Sequence, residues 1–157
     1  ARMKDIQALV REHPLTRTLN ERSIRLISGC AVNAPFKPGQ YIFHEGDAAD
    51  RFYLIRAGQV ALETFMPGRG SVVFLTLHPG DVLGVSWLTS PYRCRYDARA
   101  VTMTRALAFN AKCLRDKCDA DPAFGYALMK RVARLVSSRL EATRRQLLDV
   151  YGPDRGR

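Results

Sequence analysis

Apolar residues recur at helical spacing in residues 3–13, and Pro14 ends that segment. Asn20 can cap a second helix, which ends at Gly29. Beyond this glycine the period changes, because short runs rich in β-branched and aromatic residues follow one another between turns. The pattern predicts N-terminal helices within residues 1–30 and an extended region after them.

The extended region, residues 31–110, is typical of short antiparallel strands separated by Gly-rich turns. Positive φ is expected at Gly58, which lies in a hairpin, and Gly46 suits a bend that turns the strand. Repeated strands at this spacing indicate either a sandwich or a jelly roll that folds back on itself, so the predicted fold class is mainly β with flanking helices. The predicted strands include Tyr41–His44, Arg51–Arg56, Gln59–Met66 and Ser71–Leu77.

After Asn110 the period becomes helical again, so residues 111–157 are expected to form C-terminal helices of the same domain. A short helix covers residues 112–118, and Asp121-Pro122 is typical of a helix start. The long helix that follows carries a heptad-like seam, which one small roll cannot cover along its whole length. We therefore expect a homodimer through the helix 122–150. The seam consists of Met129, Val132, Val136, Leu140, Thr143, Leu147 and Val150.

The composition predicts a cytoplasmic globular domain with a basic surface. The chain has 157 residues, 46% of them hydrophobic, and a formal net charge of +10. Its apolar runs are far shorter than a membrane span, and its N-terminus does not resemble a signal peptide. The charge indicates an anionic ligand, nucleic acid or an acidic protein partner, unless it only reflects a GC-rich genome that favours arginine.

The residues that could bind a metal or act as nucleophiles do not form a recognisable catalytic site, so the sequence predicts a protein that is not an enzyme. Cys30, Cys94, Cys113 and Cys118 have neither C-x-x-C nor His-rich spacing, so we expect buried or spectator thiols, no metal and no disulfide. His44 faintly resembles a cupin ligand, but the companion histidines that such a metal site needs are missing. The sequence also offers no Ser/His/Asp set and no pair of carboxylates.

Residues 80–102 combine a tight turn, a short strand, a small apolar turn and an Arg-rich loop that re-enters a strand. Such a layout can hold a phosphate against backbone amides and one arginine. It resembles the phosphate-binding cassette of the cyclic nucleotide-binding domain family, the sensor part of catabolite activator and FNR-like regulators. The candidate ligand-binding residues are Gly84, Val85, Ser86, Trp87, Leu88, Arg93, Arg95 and Thr143.

The resemblance runs from about Phe36 to the end of the long helix. Residues 38–47 are similar to the family's opening strand pair, and residues 52–60 to its Y-x-I-x-x-G-x-V hairpin. It implies the β-roll, dimerisation through the long helix and, for Thr143, a hydroxyl near the base of a nucleotide. Family transcription factors continue into a helix-turn-helix, for which no residues follow here. We therefore expect no sequence-specific DNA binding by this chain alone.

Three departures from the family pattern bear on the ligand. Val85 stands where the family has the Glu that holds the ribose, and losing a charged hydrogen bond of about 1.5–3 kcal/mol weakens binding roughly ten- to a hundredfold. Bulky Tyr96 and acidic Asp97 follow Arg95, where the family has small residues. Asp97 could replace the missing carboxylate or pair with Arg95. Trp87 either adds bulk beside the ligand or fills the core, as large aromatics commonly do.

Two functions of different class remain. The first is a non-catalytic regulatory sensor, whose altered cassette binds cAMP weakly or takes another phosphate-bearing anion through Arg93 or Arg95; cAMP and cGMP are the candidate ligands. The second is an interaction or dimerisation module that has kept the fold and lost the ligand, with a protein as its partner. Fold alone does not decide between them.

Overall fold

The computed structural model describes residues 3–152. Its helices are α1 (Met3–Glu12), α2 (Glu21–Ser28), α3 (Ala111–Ala120) and α4 (Pro122–Val150). Its strands are β1 (Ala31–Phe36), β2 (Tyr41–Phe43), β3 (Arg51–Ala57), β4 (Val60–Met66), β5 (Gly70–Leu77), β6 (Val82–Leu83), β7 (Asp97–Ala100) and β8 (Thr104–Asn110), and a 3-10 turn covers Ser86–Leu88. The outermost residues of the expected domain bounds, 1–2 and 153–157, lie outside the described residues.

The strands form two four-stranded sheets, in the orders β1-β8-β3-β6 and β2-β7-β4-β5. All strand pairings within them are antiparallel. Apart from the β4–β5 hairpin, successive strands alternate between the two sheets, and the helices flank the roll at both ends of the sequence. The predicted fold class, an antiparallel β-roll with N-terminal helices and a long C-terminal helix, is confirmed.

Two apolar clusters hold this arrangement together. One lies between the two sheets and includes Ile55, Leu62 and Leu83. The other joins the N-terminal helices, the roll and the first half of α4, with Phe52 and Phe109 completely buried within it. Burying a large apolar side chain stabilises the fold by about 1.5–3 kcal/mol, so the second cluster holds the N-terminal helices and the first half of α4 against the roll.

The helix starts that the sequence predicts are stabilised by side-chain caps. The Asn20 side chain accepts a hydrogen bond from the Ser23 N–H at the start of α2. The Asp121 carboxylate accepts from the Phe124 N–H at the start of α4, and it also pairs with Arg22 at 2.9 Å. The ion pair and the cap together connect α4 to the N-terminal helices.

Gly58 has a positive φ of 91°, as expected for the hairpin, and Gly46 at the bend has a positive φ of 90°. Gly58 also lies against the chain that leads into β8. A Cβ placed there would meet the Met103 carbonyl and lie 2.7 Å from the Thr104 Cα. Glycine at this position is therefore required both by the backbone angle and by a close approach of two chain segments.

Helix α4 divides into a half that packs on the roll and a half that projects from it. Leu128 and Val132 are buried, and Leu135 is half-buried against the same cluster. Farther along, Leu140 is 70% exposed and Val150 is 77% exposed. The seam predicted from the heptad-like spacing is thus covered at its start and open beyond residue 135.

The expectation that the cysteines form no disulfide is wrong. Cys30 and Cys113 are disulfide-bonded, with a Cα–Cα distance of 5.7 Å across 83 residues of sequence. Pairing of β1 with β8 brings the end of α2 next to the start of α3, and this proximity leaves no trace in the cysteine spacing. Cys94 is a buried free thiol and Cys118 a half-buried one, as expected.

Among residues 3–152, no helix combines the length and apolar content that crossing a bilayer needs.

Candidate functional site

The cassette begins with a glycine that permits a tight approach of three chain segments. Gly84 follows β6, is buried and has a φ of 84°. Its missing Cβ would lie 3.4 Å from the Arg51 carbonyl and 3.7 Å from the Phe43 ring. The chain can therefore turn directly from β6 into the 3-10 turn Ser86–Leu88, which is the apolar turn that the sequence predicts.

The backbone N–H groups of the 3-10 turn are its candidate donors to an anion. The Leu88 N–H donates to the Val85 carbonyl, and the N–H groups of Ser86 and Trp87 have no partner among the described residues. Two unpaired amides at the start of such a turn suit an anion. The Arg115 guanidinium on α3 stabilises the turn by donating a hydrogen bond of 2.9 Å to the Trp87 carbonyl.

The Trp87 side chain belongs to the core. It is completely buried and contacts Phe52, with the two ring centroids 5.7 Å apart. Val85 and Leu88 are half-buried against the same cluster. Of the two readings of Trp87, the structure therefore favours the space-filling one, and the cassette offers a ligand mainly its backbone and the Ser86 side chain.

The Arg-rich loop is held in register by residues 46–49, a pairing that the sequence leaves open. The Cys94 N–H donates to the Asp47 carbonyl at 2.8 Å, and the Ala49 N–H donates to the Tyr92 carbonyl at 2.7 Å. Side chains alternate along this extended stretch: Cys94 is buried, whereas Arg93 and Arg95 are exposed. Arg93 makes one long contact of 3.5 Å to the Gly46 carbonyl, so neither arginine is fixed over the turn.

Asp97 does not pair with Arg95, and this part of the expectation is wrong. The Asp97 carboxylate accepts a hydrogen bond from the Glu45 N–H at 2.8 Å and lies 3.6 Å from the His44 ring. It stabilises the bend around Gly46 instead. The reason is the register of β2 against β7, which places the start of β7 beside this bend.

Tyr96 occupies the space between the two sheets beside the cassette. Its ring centroid lies 5.9 Å from that of Phe43 and 5.6 Å from that of Phe74, in an edge-on contact with the latter. Burial raises the pKa of the Tyr96 hydroxyl, and the nearby Arg139 partly opposes that rise. The position at which the family has a small residue is thus filled by a large, mostly apolar side chain.

Arg139 on α4 faces Tyr96 and is a site residue that the sequence analysis missed. Its guanidinium donates to the Val82 carbonyl, and burial lowers the pKa of the group, opposed by Tyr96 and by Asp81. No carboxylate forms an ion pair with it among the described residues. A half-buried cation without a paired anion is a natural receptor for one.

The helical spacing of α4 could have identified Arg139 as a residue that faces the roll. Leu128, Val132 and Leu135 form the stripe of α4 that packs on the roll, and Arg139 is the next position of that stripe. Thr143, the predicted contact to the base of a nucleotide, lies one turn farther on. It is exposed, and its hydroxyl donates to the Arg139 carbonyl at 2.8 Å. The structure therefore brings Arg139, Tyr96 and the cassette together and leaves Thr143 outside.

A basic cavity adjoins the Arg139 contact. Its volume is about 310 Å³, and it lies between α4, the turn after α1 and the start of β6. Arg17, Arg131 and Arg134 line it, and no acidic residue does. Arg131 is held in place by the Thr18 hydroxyl at 2.9 Å and by the Ala127 carbonyl at 2.8 Å.

Among the described residues, no group of three His, Cys, Asp or Glu side chains could hold a metal ion.

Comparisons with known proteins agree with this geometry. The family model of the cyclic nucleotide-binding domain matches residues 34–121. The chain is 31% identical over 103 residues to the HTH-type transcriptional regulator Cmr of Mycobacterium tuberculosis, which is 66% of this chain and 42% of that regulator. The chain spans about half the length of the curated relatives it matches.

Two solved structures extend the comparison to the whole fold. One, from Geobacter metallireducens and only provisionally assigned as a cyclic nucleotide-binding protein, gives a TM-score of 0.75 at 30% identity over 85% of this chain and 97% of its own. The other is the N-terminal domain of a transcriptional regulator from Streptomyces coelicolor, with a TM-score of 0.68 at 25% identity over 95% of this chain and 99% of its own.

Proposed function

This chain belongs to the cyclic nucleotide-binding domain family, and from that premise we propose that it is a non-catalytic regulatory sensor with an altered ligand pocket. It binds cAMP weakly or not at all and takes another phosphate-bearing anion at the cassette. Gly84, Ser86 and Leu88 supply the backbone turn, with Val85 and Trp87 packed beneath it. The exposed side chains of Arg93, Arg95 and Thr143 would have to move over the turn to reach such a ligand.

The observation that carries the proposal is the position of the half-buried Arg139 guanidinium, which donates to the Val82 carbonyl near the Tyr96 hydroxyl. In this state the Tyr96 ring fills the space beside the cassette. The Arg139 guanidinium donates to the Val82 carbonyl near the Tyr96 phenol and the Asp81 carboxylate, and it forms no ion pair among the described residues. An anion at the 3-10 turn would give Arg139 a charged partner. Charge-assisted hydrogen bonds are about twice as strong as neutral ones, so such an anion competes well with the Val82 carbonyl.

The position of Arg139 supports a route from the ligand to the dimer. Arg139 lies where α4 leaves the roll, between the exposed seam residues Val136 and Leu140 of the same helix. Any change in the Arg139 contacts acts directly on the helix segment that we propose as the dimer interface. The proposed output is therefore a change in how two α4 helices pack against each other.

A second function, a ligand-free dimerisation or interaction module, is favoured by one observation. Tyr96 already closes the pocket, and the exposed Arg93 and Arg95 are not arranged around the turn. In that case the roll serves to present α4, and a protein partner binds the exposed seam or a neighbouring surface.

Calorimetry with cAMP and with inorganic phosphate on the wild type and five variants separates these functions. We expect no low-micromolar binding of cAMP to the wild type. Val85→Glu alone should change little, because Tyr96 still fills the space. Val85→Glu combined with Tyr96→Ser should strengthen cAMP binding ten- to a hundredfold over Tyr96→Ser alone, the effect of one charged hydrogen bond of about 1.5–3 kcal/mol.

Matched controls accompany these variants. Val85→Gln with Tyr96→Ser has the same shape without the charge and should not gain affinity. Arg139→Gln should weaken phosphate binding to the wild-type pocket. A low-micromolar dissociation constant for cAMP with the wild type would refute the altered pocket, and the absence of binding by any anion to any variant would favour the ligand-free module.

We also propose that this chain alone reads no DNA sequence and acts in the cytoplasm. The net charge of +10 supports attraction to phosphates in general. Binding of that kind falls steeply with salt and ignores sequence. A sequence-selective footprint at physiological salt would overturn this part of the proposal.

A further inference from the structure

The Cys30–Cys113 disulfide lies where the first and last strands of the roll meet. Cys30 follows the end of α2, and its carbonyl accepts a hydrogen bond of 2.9 Å from the Asn110 N–H. In the next pair of the β1–β8 ladder, Ala31 lies opposite Phe109. Hydrogen bonds and strand pairing thus hold the two cysteines side by side without help from the S–S bond.

An open groove gives the bond access to solvent. Its volume is about 560 Å³, and both cysteines line it together with Lys112, Asp116 and Lys117. Cys30 is only 6% exposed, whereas Cys113 is half-buried. A reagent that enters the groove therefore reaches the Cys113 sulfur first.

The surroundings of Cys113 favour its thiolate. Cys113 lies in the first turn of α3, at the positive end of the helix dipole, and its N–H donates to the Asn110 side chain. The charged groups around the groove are two lysines and one aspartate. Lys112 pairs with Asp116 at 2.9 Å, whereas Lys117 donates to the Leu26 carbonyl at 2.7 Å and forms no ion pair among the described residues. The net local charge is positive, which favours a thiolate.

We propose that Cys30–Cys113 is a thiol–disulfide exchange site that accepts two electrons from a dithiol. The dithiol thiolate attacks the Cys113 sulfur, the Cys30–Cys113 bond breaks, and the electron pair leaves on the Cys30 sulfur, which takes a proton. The second thiolate of the dithiol then attacks its own mixed disulfide and releases Cys113 as a thiolate. The protein gains two thiols, and the dithiol becomes a cyclic or intramolecular disulfide.

Opening the bond loosens α3 while the fold persists. Without it, α3 is still held by the hydrogen bond from the Ala111 N–H to the Asp50 carbonyl at 3.0 Å and by buried Leu114. The covalent tie between the N-terminal helices and α3 is lost, and α3 packs directly on α4. The exchange site thus acts on the same long helix as Arg139, but it does not depend on any ligand. In cytosolic proteins, disulfides are typically transient and redox-sensing rather than structural.

The first test follows the redox state of the native protein. The full chain is equilibrated in buffers of reduced and oxidised dithiothreitol, trapped with acid, alkylated and mapped by mass spectrometry. We expect Cys30 and Cys113 to become alkylated together, in one two-electron transition, without denaturant. Two outcomes would overturn the proposal: both residues alkylated in protein that was never reduced, or reduction that requires unfolding.

The second test separates an exchange site from a structural staple. In a Cys118→Ser background, Cys30→Ser leaves the Cys113 thiol and Cys113→Ser leaves the Cys30 thiol. We expect Cys113 to react with an aromatic disulfide reagent at least tenfold faster than Cys30. The slow internal reference is Cys94, because burial raises the pKa of its thiol to about 11.

Charge variants complete the second test. Lys117→Gln keeps a donor for the Leu26 carbonyl and removes the charge, so the pH midpoint of the Cys113 reaction should rise. Lys130→Gln on α4, which lies outside the groove, should leave that midpoint unchanged. Faster reaction of Cys30 than of Cys113, or a midpoint that ignores Lys117→Gln, would rule out the mechanism.

Discussion

A charge placed at Leu140 tests whether the open half of α4 is a dimer interface. In a single chain Leu140 is 70% exposed, and Val136 and Leu147, one turn before it and two turns after it, are 45% and 57% exposed. Such a row of apolar side chains along one helix face is unusual unless it is covered by another surface. We expect Leu140→Asp to leave the protomer folded and to abolish the dimer at micromolar concentration.

The size of the effect follows from the exposed fraction of the side chain. Burying a whole Leu side chain is worth about 1.5–3 kcal/mol, so burying the exposed part of Leu140 is worth about 1–2 kcal/mol. A two-fold interface contains the residue twice, which gives about 2–4 kcal/mol for the dimer. This corresponds to a rise of about 30- to 700-fold in the dissociation constant, before the repulsion between two aspartates is added.

Sedimentation velocity across a concentration series measures this constant, and circular dichroism checks that the variant is folded. Ala142→Asp is the matched control. It adds the same charge to the same exposed helix about 160° around the axis from Leu140, so it should dimerise as the wild type does. A wild type that is monomeric at high micromolar concentration would refute the interface. So would a Leu140→Asp variant that dimerises as tightly as the control.

Three further predictions concern stability. Gly58→Ala should destabilise the fold by about 1–3 kcal/mol more than Gly68→Ala in denaturant titrations, because both glycines have positive φ but only Gly58 has chain packed against it; equal losses would contradict the close approach. Burial lowers the pKa of His13 in the folded state below its unfolded value near 6.5, so stability should be complete above that pH and fall as the pH drops below it. His13→Asn, which keeps an acceptor for the Leu15 N–H, should flatten that pH dependence. The double variant Cys30→Ser with Cys113→Ser should have a free energy of unfolding up to about 4–5 kcal/mol below that of the oxidised wild type, because it lacks the closed loop of 83 residues. The fully reduced wild type, measured in the same titration, should match the double variant.

Local features of the sequence predicted most of the fold. Cap residues, prolines and glycines act within one turn of the chain, so Asn20, Pro14 and Asp121 mark helix ends correctly. The strand runs agree with the structure to within one residue at each end where they were named, because the alternation of apolar and polar residues is a property of each strand by itself. The family motifs then identified the roll, which the strand pattern alone left as one of two architectures.

The candidate site was predicted less completely. The turn at Ser86–Leu88 and the glycine before it are local and were found. The roles of Arg93 and Arg95 depend on how the loop pairs with residues 46–49, which no local pattern reveals. Asp97 was left with two possible roles, replacing the missing carboxylate or pairing with Arg95, whereas it binds the backbone of a bend that is distant in sequence.

What the sequence by itself determined is therefore the set of elements, their ends and the presence of an open apolar seam on α4. What only the tertiary structure decided are the contacts between segments that are far apart in the chain: the Cys30–Cys113 bond, the Asp97 bend contact, and Tyr96 between the sheets facing Arg139. Element ends follow from backbone angles and hydrogen bonds within a few residues. Contacts between distant segments follow from the strand register and the direction of each side chain, which are settled only when the two sheets and the helices pack together.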